Sequence, residues 1–147
     1  MARDQLELVQ GLAERQEKEA GERLFRAQSQ VDVAQNQLNQ VLDYRSDYYR
    51  LATGAAGDLI DTNQLQTARH FLSQLDTIVG RQQKTMEQAE LVLEQQRAAW
   101  IETKRRLNAI KNLRASRVRE RVRSDGKVAQ RWLDELYAIQ TFYSEAR

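Results

Sequence analysis

The residues able to do acid–base, nucleophilic or metal chemistry are few in this chain. Its 147 residues include one histidine, His70, and no cysteine. The sequence has no glycine-rich phosphate loop and no pair of histidines at metal-binding spacing. A single histidine next to Phe71 is best interpreted as an ordinary surface residue. The residue types therefore predict a protein that is not an enzyme and that holds no metal or cofactor.

Charge is the second chemical feature, because its distribution is uneven. Of the 23 basic and 21 acidic residues, 11 basic and only two acidic residues lie between Lys104 and Arg131. Such a segment favours an anionic partner. Nucleic acid is one interpretation, since basic helices of zipper transcription factors contact phosphates in this way. In those factors the zipper follows the basic region, whereas here the apolar pattern precedes it, which favours a protein partner with acidic loops.

A third feature is a surplus of apolar residues early in the second half of the chain. Phe71, Leu75 and Ile78 are spaced four and three residues apart, so they share one face of a helix. One interpretation is local packing against the residues that precede the expected turn, namely Tyr48, Tyr49 and Leu51. The other is a patch that binds a partner, because clustered exposed aromatic and aliphatic side chains mark interfaces.

Long helices must position these residues. The chain has no proline, and mostly apolar residues recur at alternating spacings of three and four along two rows of positions, which we call seams. The first seam contains one stutter, between Ala20 and Leu24. It consists of positions 6, 9, 13, 16, 20, 24, 27, 31, 34, 38, 41, 45, 48 and 52, of which only Gln16 and Arg45 are polar. The second consists of positions 65, 68, 72, 75, 79, 82, 86, 89, 93, 96, 100, 103, 107 and 110.

The two seams predict an all-α fold in which two long helices form one antiparallel coiled-coil hairpin over residues 1–147. We expect the first helix at about 4–52 and the second at about 62–145. The turn, at about 53–61, contains Gly54 and Gly57, and Asp61 with Gln64 has the spacing of a capping box. A turn near Gly57 makes facing residue numbers sum to about 115, which places Asp4 opposite Lys111.

The second helix is therefore expected to overhang the first beyond about Asn112. Apolar residues continue there at helical spacing, and no other segment is left to cover them. A partner protein is the simplest source of that cover. Alternatively, the helix breaks at Ser124-Asp125-Gly126 and the last residues fold back. The overhanging apolar set is Val118, Val122, Ala129, Leu133, Leu136, Ile139 or Gln140, and Tyr143, with Trp132, Tyr137 and Phe142 alongside.

Apolar runs in the chain are short. None approaches the ~20 residues that a membrane-spanning helix needs, and the first residues lack the apolar run of a signal peptide. These observations favour a soluble cytoplasmic protein.

The whole pattern resembles the FliJ family of small coiled-coil proteins of the bacterial flagellar type III export apparatus. The resemblance extends over nearly the whole chain and rests on the order of its features rather than on one motif. These are Leu12-Ala13-Glu14 followed by Ala20 and Leu24, the cluster Leu42-Asp43-Tyr44 to Tyr48-Tyr49-Arg50, the glycine-containing turn, and Phe71 with Leu75.

The resemblance implies a stalk similar to the central shaft of rotary ATPases, with its open end inserted in the hexameric export ATPase, which it stimulates. It also implies contacts with the membrane export gate and with export chaperones, and a cytoplasmic location, peripheral to the inner membrane at the flagellar base. The gate-binding surface of the family maps to Phe71 and Leu75, with Ile78 beside them. One turn further on, this chain departs from the family pattern with Gln82.

Basic and apolar residues of the overhang are then expected to contact the ATPase ring. They are Arg114, Arg117, Arg121, Arg131, Trp132, Leu136 and Phe142. A nucleic-acid-binding protein with a basic helix, and a generic coiled-coil scaffold or chaperone, are the alternative functions. We favour the stalk and expect no nucleic-acid partner.

Overall fold

The computed structural model describes residues 2–53 and 61–146, with side chains from residue 5 onward in the first range. Two helices account for nearly all of them: α1, Ala2–Ala52, and α2, Thr62–Glu145. No strand occurs in these two ranges. The predicted all-α class and the two helices are confirmed, and α2 continues through residues 124–126 without a break. The predicted turn glycines, Gly54 and Gly57, lie outside the described residues.

The start of α2 is capped by the two residues that the sequence pattern indicated. The backbone N–H of Gln64 donates to Asp61 Oδ1 over 2.7 Å, and the N–H of Asp61 donates to Gln64 Oε1 over 3.4 Å. The Asp61 carbonyl accepts the first helical bond, from Leu65 N–H at 3.0 Å. This reciprocal pair is a capping box, which satisfies backbone donors that have no partner inside the helix.

The buried residues of the described chain follow the predicted seams. Every apolar residue classed as buried lies on one of them: Ala13, Ala20, Ala27, Ala34, Leu38, Ala52, Ala68, Leu75, Val79, Leu93 and Leu107. Among the seam positions, only Val9 and Arg45 are exposed. Six of the eleven are alanines, and such small side chains permit close approach of packed helices. Helix pairing along these seams is therefore what forms the core.

The chain divides into two compact units, of which the larger is Gln16–Thr103. In it α1 and α2 pack antiparallel, because contacts join Glu17 to Trp100, Arg45 to Asp76 and Tyr48 to Phe71. Arg45, the charged residue of the first seam, lies at its exposed edge, and its Nε is 2.9 Å from the Asp76 carboxylate. Both side chains are about half exposed, so this ion pair contributes little stability.

The other unit joins the residues before Gln16 to those after Thr103. Ala13 and Leu107 are buried in it, and the Arg114 guanidinium donates to Gln10 Oε1 over 2.8 Å. From residue 115 through 146 every side chain is exposed. The overhang predicted beyond about Asn112 is thus present, and Arg114 is the last described residue that is partly buried.

The predicted pairing register is wrong by several residues. Facing residue numbers sum to between 117 and 121 in the larger unit, and the Gln10–Arg114 pair sums to 124, rather than about 115. The spacing of two seams does not determine their relative register, because a heptad pattern repeats and the turn length was unknown. The register depends on which individual side chains face each other across the two helices. At Gly21 an added Cβ would lie 3.5 Å from Trp100 Nε1, so this indole lies over a position with no side chain.

Candidate protein-interaction surfaces

The terminal segment, residues 115–146, is the most extensive exposed surface of its unit. It is helical throughout except at its last residue and carries both charged and large apolar side chains. An amphipathic helix of this kind normally owes its stability to packing of its apolar face. The exposed large apolar residues are Val118, Val122, Val128, Trp132, Leu133, Leu136, Tyr137, Ile139, Phe142 and Tyr143.

The residues expected to contact a ring-shaped partner are distributed along this segment. Trp132 is 59% exposed and Leu136 is 49% exposed. Phe142 lies against Tyr143, with ring centroids 6.0 Å apart in an edge-to-face arrangement. Arg117, Arg121 and Arg131 are exposed. Together they form a surface on which cations flank apolar side chains.

Arg114 differs from the other predicted contact residues. Its side chain is half-buried, and it donates a hydrogen bond to Gln10 of α1. It therefore joins the two helices at the point where α1 no longer covers α2. A substitution at Arg114 would change helix packing as well as any partner contact, which makes Arg117 and Arg121 the cleaner positions for testing the surface.

The second predicted surface, Phe71 with Leu75 and Ile78, belongs to the Gln16–Thr103 unit. Phe71 is 39% exposed and packs on Tyr48, with ring centroids 4.6 Å apart. Ile78 is 38% exposed, whereas Leu75 is 6% exposed within the seam. Local packing and an accessible face are both present, because Phe71 contacts Tyr48 and still remains partly exposed. Phe71 and Ile78 form the accessible part of this patch.

Comparison with known proteins identifies the family. The family model described as flagellar FliJ protein matches residues 1–147. The chain belongs to the FliJ family. No curated protein and no solved structure matches it. Family membership makes this chain a component related to flagellar protein export.

Two further positions of this FliJ-family chain bear on the Phe71 patch. Gln82, one turn beyond Ile78, is half-buried in the second seam, and its Oε1 is buried without a hydrogen-bond partner. His70 is exposed, and its Nε2 lies 3.4 Å from Gln74 Nε2 in the same helix. The apolar patch therefore ends at Ile78, because the next position on this face, Gln82, is a polar residue of the seam.

Two features of the same unit do not follow from the spacing of the seams. Trp100 Nε1 donates to Glu17 Oε1 over 3.1 Å, a bond between the helices that seam spacing does not predict. An open groove also runs between α1 and α2, and its apolar lining consists of Ala27, Val33, Ala34, Ala89 and Val92. The alanines at seam positions were its only signal in the sequence, because small seam residues leave space beside them.

In the part of the chain that the structure describes, neither helix contains a stretch long and apolar enough to cross a membrane. Over the same residues, histidine, cysteine and carboxylate side chains form no cluster of three or more that would suit a metal ion.

Proposed function

We propose that this FliJ-family protein is a non-enzymatic stalk and adaptor of the flagellar type III export apparatus. Its terminal segment inserts into the hexameric export ATPase and stimulates it. The patch formed by Phe71 and Ile78, with Leu75 beneath, contacts the membrane export gate. The protein also engages export chaperones, and it acts in the cytoplasm, peripherally associated with the inner membrane at the flagellar base.

The observation that carries this proposal is the exposure of every side chain from residue 115 to 146. A helix that only completed its own hairpin would not need ten exposed large apolar residues in this segment. A ring that surrounds the segment would cover them. The flanking cations at Arg117 and Arg121 would then meet acidic loops of the ring, and such charge complementarity favours encounter and orientation.

A protein partner is favoured over nucleic acid because the apolar residues continue beyond the basic segment. Trp132, Leu136 and Phe142 all follow Arg131, the last of the eleven clustered basic residues. Non-specific nucleic-acid binding requires cations rather than a long aliphatic and aromatic surface. Such a surface is typical of the covered centre of a protein interface.

Charge reversal tests the contact with the ATPase. We expect Arg117→Glu with Arg121→Glu to lower stimulation of the export ATPase about tenfold or more, because two like-charge contacts replace two attractive ones. The measurement is phosphate release by the ATPase at increasing concentrations of the variant. Circular dichroism should give an unchanged helix content, since both side chains are exposed.

The matched control is Arg81→Glu with Lys84→Glu, which makes the same change of charge at exposed positions of α2 in the Gln16–Thr103 unit. This control should stimulate like the unchanged protein. Equal stimulation by both variants would contradict insertion of the terminal segment. A gel shift of DNA or RNA that weakens steeply with salt, without ATPase stimulation, would favour the nucleic-acid alternative.

A further inference from the structure

The terminal segment contains a seam of its own, distinct from the two seams that pair α1 with α2. Eight exposed positions follow one another at spacings of four and three: Val118, Val122, Asp125, Ala129, Trp132, Leu136, Ile139 and Tyr143. We name these eight positions the terminal seam. Its length approaches four heptads, which is the pattern of a coiled-coil helix. The order of the spacings is the same from either end. In an antiparallel pair, each terminal-seam position of one copy can therefore face a terminal-seam position of the other.

Side-chain size changes from one half of the terminal seam to the other. The first four positions carry small or medium side chains, namely valine, valine, aspartate and alanine. The last four carry tryptophan, leucine, isoleucine and tyrosine. Cores pack well when large residues face small ones. A parallel pair of such helices would place Trp132 against Trp132 and Ala129 against Ala129, with crowding at one end and gaps at the other.

Charge changes in the same direction along the terminal segment. Residues 115–130 contain five basic and two acidic residues, whereas residues 131–146 contain one basic and three acidic residues. The first half is therefore +3 and the second half −2. Two parallel segments would place like charges side by side, and two antiparallel segments would place opposite charges together.

We propose that the occupant of the terminal seam is a second copy of this chain, with the two terminal segments paired antiparallel. In that arrangement Val118 faces Tyr143 of the other copy, Val122 faces Ile139, Asp125 faces Leu136 and Ala129 faces Trp132. Each layer then combines a smaller side chain with a larger one, and the basic half of each segment lies along the acidic half of the other. The interface is isologous, as expected for a two-fold dimer.

Asp125 is the polar member of this seam. A carboxylate opposite Leu136 weakens the pair, and single polar seam residues of this kind fix register at a cost in stability. The dimer is therefore expected to dissociate reversibly, which leaves the terminal seam free to bind another partner. This inference does not depend on the proposed stalk function, because it rests only on the spacing, size and charge of the terminal segment.

Cysteine crosslinking tests the orientation, because the natural chain has no cysteine. Val122→Cys and Ile139→Cys proteins are mixed and oxidised mildly. We expect a disulfide between the two variants and little between identical chains, because antiparallel pairing places the two Val122 positions ~25 Å apart. Disulfides between identical chains, or none in either sample, would overturn the antiparallel pair.

Sedimentation velocity of the full chain over a range of concentrations tests the dimer itself. The unchanged protein should shift reversibly towards twice the chain mass as its concentration rises. Ile139→Lys should raise the dimer dissociation constant about tenfold or more, since it places an ammonium group opposite Val122, where both facing residues are apolar. Ala138→Lys is the matched control, with the same new charge at an exposed position outside the terminal seam. Monomer at all concentrations, or equal effects of both substitutions, would refute the proposal.

Discussion

Individual residues of the Phe71 patch have different tasks despite their common helical face. Leu75 is buried in the seam, whereas Phe71 and Ile78 retain more than a third of their exposure. A face that is wider than the seam has a buried centre and an accessible edge. A partner at this patch would therefore contact Phe71 and Ile78, and Leu75 would act through the stability of the helix pair.

Alanine substitutions separate these two tasks. Leu75→Ala should lower the free energy of unfolding by about 2–5 kcal/mol, because it removes buried methyl groups and leaves a cavity. Phe71→Ala should cost less, since the ring, which packs on Tyr48, is partly exposed. Thermal unfolding followed by circular dichroism measures both.

Binding to the cytoplasmic domain of the export gate gives the complementary measurement. Phe71→Ala should weaken that binding while the protein stays helical, and Ile78→Ala should weaken it as well. Full binding by both variants would leave the patch with a structural role only. Leu75→Ala is less informative in this assay, because lost binding and lost stability would coincide.

At the scale of the elements, α2 depends on its defined start. Asp61 and Gln64 close a reciprocal capping box, and Asp61 directly precedes the first residue of the helix. The first backbone N–H groups of a helix have no acceptors within it. The side chains of the cap accept hydrogen bonds from these groups and so stabilise the start of the helix. The predicted spacing of these two residues was enough to locate this boundary.

Asp61→Ala should therefore lower the free energy of unfolding by about 1 kcal/mol. Amide hydrogen exchange should rise most at Asn63 to Leu65, where the helix end frays, and by a smaller amount beyond Leu75. Asp61→Ser retains an oxygen acceptor at the cap and should keep most of the stability. Equal stability of the alanine variant and the unchanged protein would show that the cap makes no contribution.

At the scale of the whole molecule, the two compact units carry different surfaces. The Gln16–Thr103 unit carries the Phe71 patch, and the other unit carries the terminal segment. A second copy and the ATPase ring would both cover the terminal seam. Self-association and ATPase binding are thus expected to exclude one another, since one helix face cannot pack against two partners at once.

The disulfide-linked pair of Val122→Cys and Ile139→Cys chains tests this exclusion. We expect the linked dimer not to stimulate the export ATPase, and stimulation to return after reduction of the disulfide. Each single variant, kept reduced, serves as the control for the substitution itself. Stimulation by the linked dimer would mean that the ring binds a different surface from the terminal seam.

Much of the architecture followed from the sequence because coiled-coil structure is encoded locally. The absence of proline and the alternating spacings indicated two helices, and the seam positions matched the buried residues. The exposed end followed from helix length alone, because α1 has too few residues to cover all of α2. The spacing of Asp61 and Gln64 located the start of α2 for similarly local reasons.

By itself, then, the sequence determined the helices, their buried faces and the existence of an uncovered terminal segment. Only the tertiary structure decided the register, which pairs Gln10 with Arg114, and the contact of Trp100 with Glu17 over Gly21. It also decided that Phe71, which packs on Tyr48, and Ile78 both remain partly exposed beside the seam. The physical reason is that periodicity specifies which face of a helix is apolar, whereas register and exposure depend on which side chains of the facing helix fill each layer.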